Sequence, residues 1–111
     1  MNLPNGKRAY IPNRKLTNYL LSLTHPIGRW KAKFFHSLGF DSAEKELLEK
    51  ALLSIAQKGK IEYTIETEFG VKYIVDGHIR GLDGTTRLIG TIWIIETGQE
   101  TPYFVTAYPL E

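Results

Sequence analysis

The chain has 111 residues, no cysteine and a formal net charge of +2 at pH 7. This length fits one domain, residues 1–111, and the absence of cysteine excludes disulfides, thiolate zinc sites and a cysteine nucleophile. No apolar segment approaches the roughly 20 residues of a membrane span, and the first residues lack the apolar region of a secretory signal, which favours a soluble, cytoplasmic protein.

Two helices are predicted in the first forty residues. Pro12 resists helix, so the first helix begins near Arg14 and covers residues 15–22. Pro26 suits the first turn of a second helix, which continues to Leu38 and ends at Gly39. The residues of the first helix that are predicted to face inward are Leu16, Tyr19, Leu20 and Leu23.

A third helix and four strands are predicted in the remainder of the chain. The helix begins at Asp41 or Ser42, shows an apolar repeat of three and four residues, and ends at 58–60. Beyond Gly59 the pattern alternates, with turns that contain Gly70, Gly84 and Gly98. The predicted strands cover 61–66, 71–80, 86–96 and 103–108. The expected fold is α+β, with about three helices (14–58) packed on one face of a four-stranded antiparallel meander (61–108).

Positive charge is concentrated at the amino-terminal end. The first forty residues contain seven basic side chains and no acidic one, whereas the other seventy-one contain seven basic and twelve acidic side chains. A segment of one sign concentrates oppositely charged ligands. The charge pattern therefore predicts an anionic partner, although an ordinary solvated basic helix face would show the same pattern.

The second helix contains most of the side chains that could perform chemistry. Each residue advances a helix by about 100°, which groups residues into two sides. The side predicted to be exposed holds His25, Arg29, Ala32 and His36, flanked by Lys33, and the side predicted to face the sheet holds Ile27, Trp30, Phe34 and Leu38. Lys31 lies beside the inward side. It either extends its stem along apolar surface into water or points into a cleft, where its ammonium would bind a phosphate.

Other candidate positions lie at the start of this helix and on the sheet. His25 stands at a helix amino terminus, where it either helps to bind a phosphate or only caps the helix. Thr106 and Tyr108 share one face of the last strand, near Trp93 of the neighbouring strand, and either hold a base or a phosphate oxygen or are structural. No pair of histidines has the spacing of a carboxylate-backed metal site, so no metal or cofactor is predicted.

The sequence resembles a small bacterial family of unknown function over nearly its full length. The resemblance rests on residues 15–22, HPIGRWKAKFF at 25–35, LGF at 38–40, residues 69–77 and 91–96, and VTAYP at 105–109. That family is similar to carboxy-terminal toxin modules of bacterial polymorphic toxins, which are grouped with the barnase, EndoU, colicin and RelE-like ribonucleases. Those ribonucleases also place helices before a four-stranded antiparallel sheet.

The resemblance implies a metal-independent endoribonuclease, the toxin of a toxin–antitoxin or polymorphic-toxin system, with RNA as substrate and a small antitoxin or immunity protein as partner. The catalytic positions that it implies are His25, Arg29, Lys31, Thr106 and Tyr108. The residues predicted to contact RNA around them are Lys33, His36 and Trp93. Two other functions stay open from the residues: a nucleic-acid-binding module without catalysis, and a protein-interaction domain that uses the acidic third helix.

Overall fold

Helical segments precede a four-stranded antiparallel sheet with strand order β1-β2-β3-β4, which confirms the predicted α+β meander. The computed structural model describes residues 1–26 and 29–110, with the side chains of Thr17, Asn18 and Ser42 left aside. The four strands are β1 (Lys60–Thr67), β2 (Gly70–Arg80), β3 (Thr86–Glu96) and β4 (Tyr103–Pro109). In the described ranges no helix has both the length and the apolar character needed to cross a membrane.

The first helical segment begins earlier in the chain and contains a wider turn than its sequence pattern predicts. Helix α1 spans Asn13–Lys15 and continues as a π-helical turn over Leu16–Leu20. The Leu21 amide donates to the Leu16 carbonyl at 2.7 Å, five residues back. This wider turn lets Leu16, Leu20 and Leu21 all become buried, while Tyr19 stays half-buried.

The other two helices end at the glycines that the sequence indicates. Helix α2 spans Arg29–Ser37, and Gly39 follows with a positive φ of 96°, a conformation that glycine adopts without strain. Helix α3 spans Lys45–Lys58 and is followed by Gly59. Short 3-10 turns lie at Gly6–Arg8 and Ser42–Glu44.

The core lies between α3 and the centre of the sheet. Helix α3 packs on β2 and β3, and Ile55 approaches Gly77 so closely that a Cβ there would lie 2.9 Å from the Ile55 side chain. Thr91, fully buried, donates to the Val75 carbonyl at 2.6 Å and accepts a hydrogen bond from the Trp93 indole at 2.9 Å. These two hydrogen bonds give partners to the buried Thr91 hydroxyl and Trp93 indole, which water does not reach.

Part of the buried side of α2 is as predicted, since Leu38 just beyond the helix is buried, but around Ala32 the buried side is rotated by about one residue position, or roughly 100°. Ala32, predicted to be exposed, is fully buried with Phe35, whereas Trp30, predicted to face the sheet, is 65% exposed. Ile27, predicted to face inward, lies outside the described residues. The helix has apolar side chains around much of its circumference, so its pattern does not fix one buried side. The side that packs against the rest of the protein is the one with Ala32, whose small side chain allows close packing.

A β-bulge shapes the edge strand β4 beside the helices. Trp93 pairs with Phe104 and Ile92 pairs with Thr106, so Val105 has no partner in the ladder. Bulges at sheet edges bend the strand and redirect the side chains near them. Thr106 follows the bulge, and its hydroxyl contacts residues of the helical segments.

Candidate anion-binding site

Lys31 brings a helix, the π-helical turn and the edge strand together at one point. Its ammonium Nζ donates to the Tyr19 hydroxyl at 3.0 Å and to Thr106 Oγ1 at 2.9 Å. The two hydroxyl oxygens are themselves 3.0 Å apart. Three polar atoms thus form a closed triangle at the edge of the sheet, and we call Tyr19, Lys31 and Thr106 the hydroxyl–ammonium triad.

The triad lowers the pKa of Tyr19. Partial burial of the phenol raises this pKa, but hydrogen bonds from Lys31 and Thr106, together with the positive charges of Lys31 and Lys15, lower it by more. The net pKa therefore lies below the usual tyrosine value, because the surroundings favour the phenolate. The same surroundings favour any other anion that binds near Lys31.

A concave pocket of about 260 Å³ adjoins the triad. Its lining residues are Arg14, Lys15, Tyr19 and His25. The ring of His25 meets the ring of Tyr19 edge-on, with centroids 5.1 Å apart, and the Lys15 ammonium lies 5.1 Å from the Tyr19 ring centroid. Every lining side chain is thus basic or carries a hydroxyl, a combination that suits a phosphate group.

The structure brings together some of the predicted catalytic residues. Lys31 and Thr106 are in direct contact, and His25 reaches the same site through its contact with Tyr19. Arg29 instead is exposed, and its guanidinium lies 5.4 Å from the centroid of the Trp30 ring.

Tyr108 is held differently from Thr106 although both lie on β4. Its ring lies across Gly90 of the neighbouring strand, where a Cβ would be 2.6 Å from the ring. Burial, with Tyr63 and Asp76 nearby, raises the pKa of the Tyr108 phenol. The geometry thus gives Tyr19, and not Tyr108, the position beside Lys31.

The three predicted RNA contacts have different surroundings. Lys33 is exposed, with its ammonium 4.6 Å from the Trp30 ring centroid. The His36 Nε2 atom forms a 3.0 Å hydrogen bond with the Leu21 carbonyl, so this histidine ties α2 to the turn before it. Trp93 is fully buried. A side chain without accessible surface offers no face on which a base could stack, so the burial of Trp93 argues against the predicted RNA contact.

Three site residues were not chosen from the sequence: Tyr19, Lys15 and Arg14. The sequence pattern places Tyr19 only on the inward face of its helix, and it places the two cations only in the basic amino-terminal segment. A usable signal was present, because Lys15 and Tyr19 are four residues apart and neighbouring side chains on a helix have that spacing. In the described part of the chain no cluster of three or more metal-ligating side chains occurs.

We expect Tyr19 to ionise at lower pH than Tyr103 and Tyr108, whose pKa values are raised above the usual tyrosine value. Titration of phenolate absorbance near 295 nm should show one early tyrosine in the wild type, and this component should disappear in Tyr19→Phe. In Lys31→Met the Tyr19 pKa should rise, since the ammonium that stabilises the phenolate is gone. An early component that survives in Tyr19→Phe would contradict the assignment.

Fold and site together define a small α+β protein with a cationic pocket where its helical segments meet the edge of an antiparallel meander. The chain belongs to the family described as domain of unknown function DUF6883, whose model matches residues 2–111. No curated protein matches the sequence.

A solved structure of similar fold comes from a contact-dependent growth inhibition toxin–immunity protein complex from Klebsiella pneumoniae 342. The TM-score to a chain of that complex is 0.71 with 15% sequence identity, and the match covers 90% of this chain and 98% of that chain. At this identity the similarity concerns the fold.

Proposed function

We propose that this chain is an endoribonuclease toxin that cuts RNA by attack of a ribose 2′-OH on the adjacent phosphate. The observation that carries the proposal is the half-buried Lys31 ammonium, whose hydrogen-bond acceptors are two uncharged hydroxyls. Among the described residues no carboxylate neutralises it. A partly desolvated cation without a counter-charge binds an anion favourably.

The proposed cleavage is an intramolecular transfer of the phosphate from the 5′ oxygen to the 2′ oxygen, which requires two proton transfers. The 2′ oxygen forms a bond to phosphorus and gives up its proton, while the bond from phosphorus to the 5′ oxygen breaks and that oxygen takes a proton. The products are a 2′,3′-cyclic phosphate and a 5′-hydroxyl, so no water is consumed in this step. Two groups transfer protons and cations stabilise the charge that develops on the phosphoryl oxygens.

We assign the two proton transfers to His25 and Tyr19. Histidine is the side chain that exchanges protons near neutral pH, and a phenol with a lowered pKa releases its proton more readily than an ordinary tyrosine. The two rings are in contact, so both groups reach one phosphate. Lys31 then stabilises the transition state, Thr106 holds Lys31 and Tyr19 in place, and Lys15 and Arg14 bind the phosphate from the other side.

The toxin role is supported by the fold shared with a chain of a toxin–immunity complex. Between the two roles in such a pair, the cationic pocket favours the toxin, because a protein that blocks a ribonuclease site competes with RNA and is expected to be acidic there. We therefore propose a small immunity protein with an acidic surface as the partner that covers the pocket.

The test is incubation of the purified protein with RNA in the presence of EDTA. We expect fragments that end in a 2′,3′-cyclic phosphate, and no cleavage of an oligonucleotide whose riboses lack the 2′-OH. His25→Ala should lose at least about a hundredfold in rate, as removal of a general acid or base does. The matched control is His78→Ala, which removes an exposed histidine of β2 and should cleave like the wild type. Intact RNA after incubation with folded wild-type protein would refute the proposal.

A further inference from the structure

Helix α2 carries an exposed tryptophan directly before Lys31. Trp30 has 65% of its surface in water, although the other tryptophan, Trp93, is fully buried. Tryptophan is a large apolar side chain that proteins usually bury for the most part. An exposed indole next to Lys31 in the helix therefore requires an explanation in terms of what binds it.

Two cations surround the Trp30 indole. The Lys33 ammonium is 4.6 Å and the Arg29 guanidinium carbon 5.4 Å from the ring centroid. Both side chains are exposed, so either can leave the ring at little cost. An aromatic ring flanked by exposed cations is a combination with which proteins bind single-stranded nucleic acid: the ring stacks on a base and the cations contact the phosphates on either side.

Trp30 and the triad are placed so that one continuous RNA strand could contact both. Trp30 and Lys31 are consecutive residues of α2, so their side chains leave the helix about 100° apart while their Cα atoms are about 3.8 Å apart. Lys31 points to Tyr19 and Thr106, and Trp30 points to solvent. A single-stranded RNA with one phosphate at Lys31 can thus stack a neighbouring base on the Trp30 ring.

We propose that Trp30, Arg29 and Lys33 form a stacking platform that binds an unpaired base of a single-stranded RNA next to the phosphate held in the pocket. The choice of RNA as ligand rests on the proposed function. Charge complementarity favours it over an apolar protein partner, since the first forty residues carry seven cations and no carboxylate. The platform requires the base to be free of its pairing partner, so it selects single-stranded segments.

The test uses a short single-stranded RNA with 2′-O-methyl riboses, which binds but lacks the nucleophile for cleavage. We expect wild-type protein to bind it with quenching of tryptophan emission that arises from Trp30, because buried Trp93 responds little. Trp30→Ala should weaken binding about tenfold or more, the range that stacking of one base provides. Trp30→Phe should retain part of the affinity. A matched control is Tyr63→Ala, which removes an aromatic side chain of β1 that is 57% exposed and should leave the affinity unchanged.

A duplex RNA of the same length separates stacking from charge. Its bases are paired, so Trp30→Ala should change duplex affinity far less than single-strand affinity. Equal losses on both RNAs, unchanged single-strand affinity of Trp30→Ala, or unchanged tryptophan emission at saturation would each overturn the platform. A protein partner that covers Trp30 in place of RNA would give the last two results together.

The outcome is distinguishable from that of the proposed function, because cleavage of unmodified RNA is measured separately. Binding through Trp30 without cleavage of unmodified RNA would uphold the platform and refute the ribonuclease. Cleavage that proceeds equally fast in Trp30→Ala, with unchanged affinity for the modified RNA, would uphold the ribonuclease and refute the platform.

Discussion

Replacement of Lys31 by methionine is expected to lower the rate of RNA cleavage by about 10²- to 10³-fold, the range for loss of one group that stabilises charge in a transition state. Methionine has a similar length but carries no charge. The Tyr19 and Thr106 hydroxyls are 3.0 Å apart and can keep their mutual hydrogen bond, so the protein should still fold. The measurement is the single-turnover cleavage rate, with thermal unfolding to confirm the fold.

The control for Lys31→Met is Lys50→Met, the same change at an exposed position of α3, which should cleave at the wild-type rate. Lys31→Arg is expected to fall between the two, because it keeps the charge but its planar guanidinium does not match two hydroxyls placed for an ammonium. Wild-type cleavage by folded Lys31→Met would remove the triad from the catalytic mechanism.

Replacement of Trp93 by alanine is expected to lower the free energy of unfolding by about 3–5 kcal/mol. Trp93 is fully buried and packs edge-on against Phe104, with ring centroids 5.4 Å apart. Its removal leaves a cavity and deprives Thr91 of its indole donor. For a domain of this size the thermal midpoint should fall by about 10 °C or more.

Trp30→Ala is the matched control for Trp93→Ala, since it removes the same side chain from a position that is 65% exposed. Its unfolding free energy should stay within about 0.5 kcal/mol of the wild type, as for other surface changes. Denaturant unfolding of the two variants side by side measures the difference. Equal losses in both would mean that Trp30 also has a structural role.

Most of the fold was predictable because local sequence specifies it. Alternation after Gly59 predicted all four strands to within one residue at each end, and the glycines marked the turns between them. Gly39 ended α2 as expected, since it occupies a left-handed conformation. The π-helical turn at Leu16–Leu20 was not predicted, because it depends on burying three leucines against the rest of the core.

The candidate site was only partly predictable. The helix pattern and the family resemblance indicate Lys31 and His25, and the structure places the Lys31 ammonium against the hydroxyls of Tyr19 and Thr106. The sequence does not indicate Tyr19 as a site residue, because its contact with Thr106 joins residues that are 87 positions apart in the chain. No periodicity within a single element indicates such a contact.

The sequence by itself determined the order of the elements, the antiparallel meander and the concentration of positive charge before Asp41, since all three follow from local periodicity and composition. Only the tertiary structure decided the orientation of α2, which leaves Trp30 in water and not against the sheet. The physical reason is that α2 has apolar side chains on several sides, so its buried side depends on which neighbours fit against it. The same rotation turns Lys31 toward Tyr19 and Thr106 and so assembles the site.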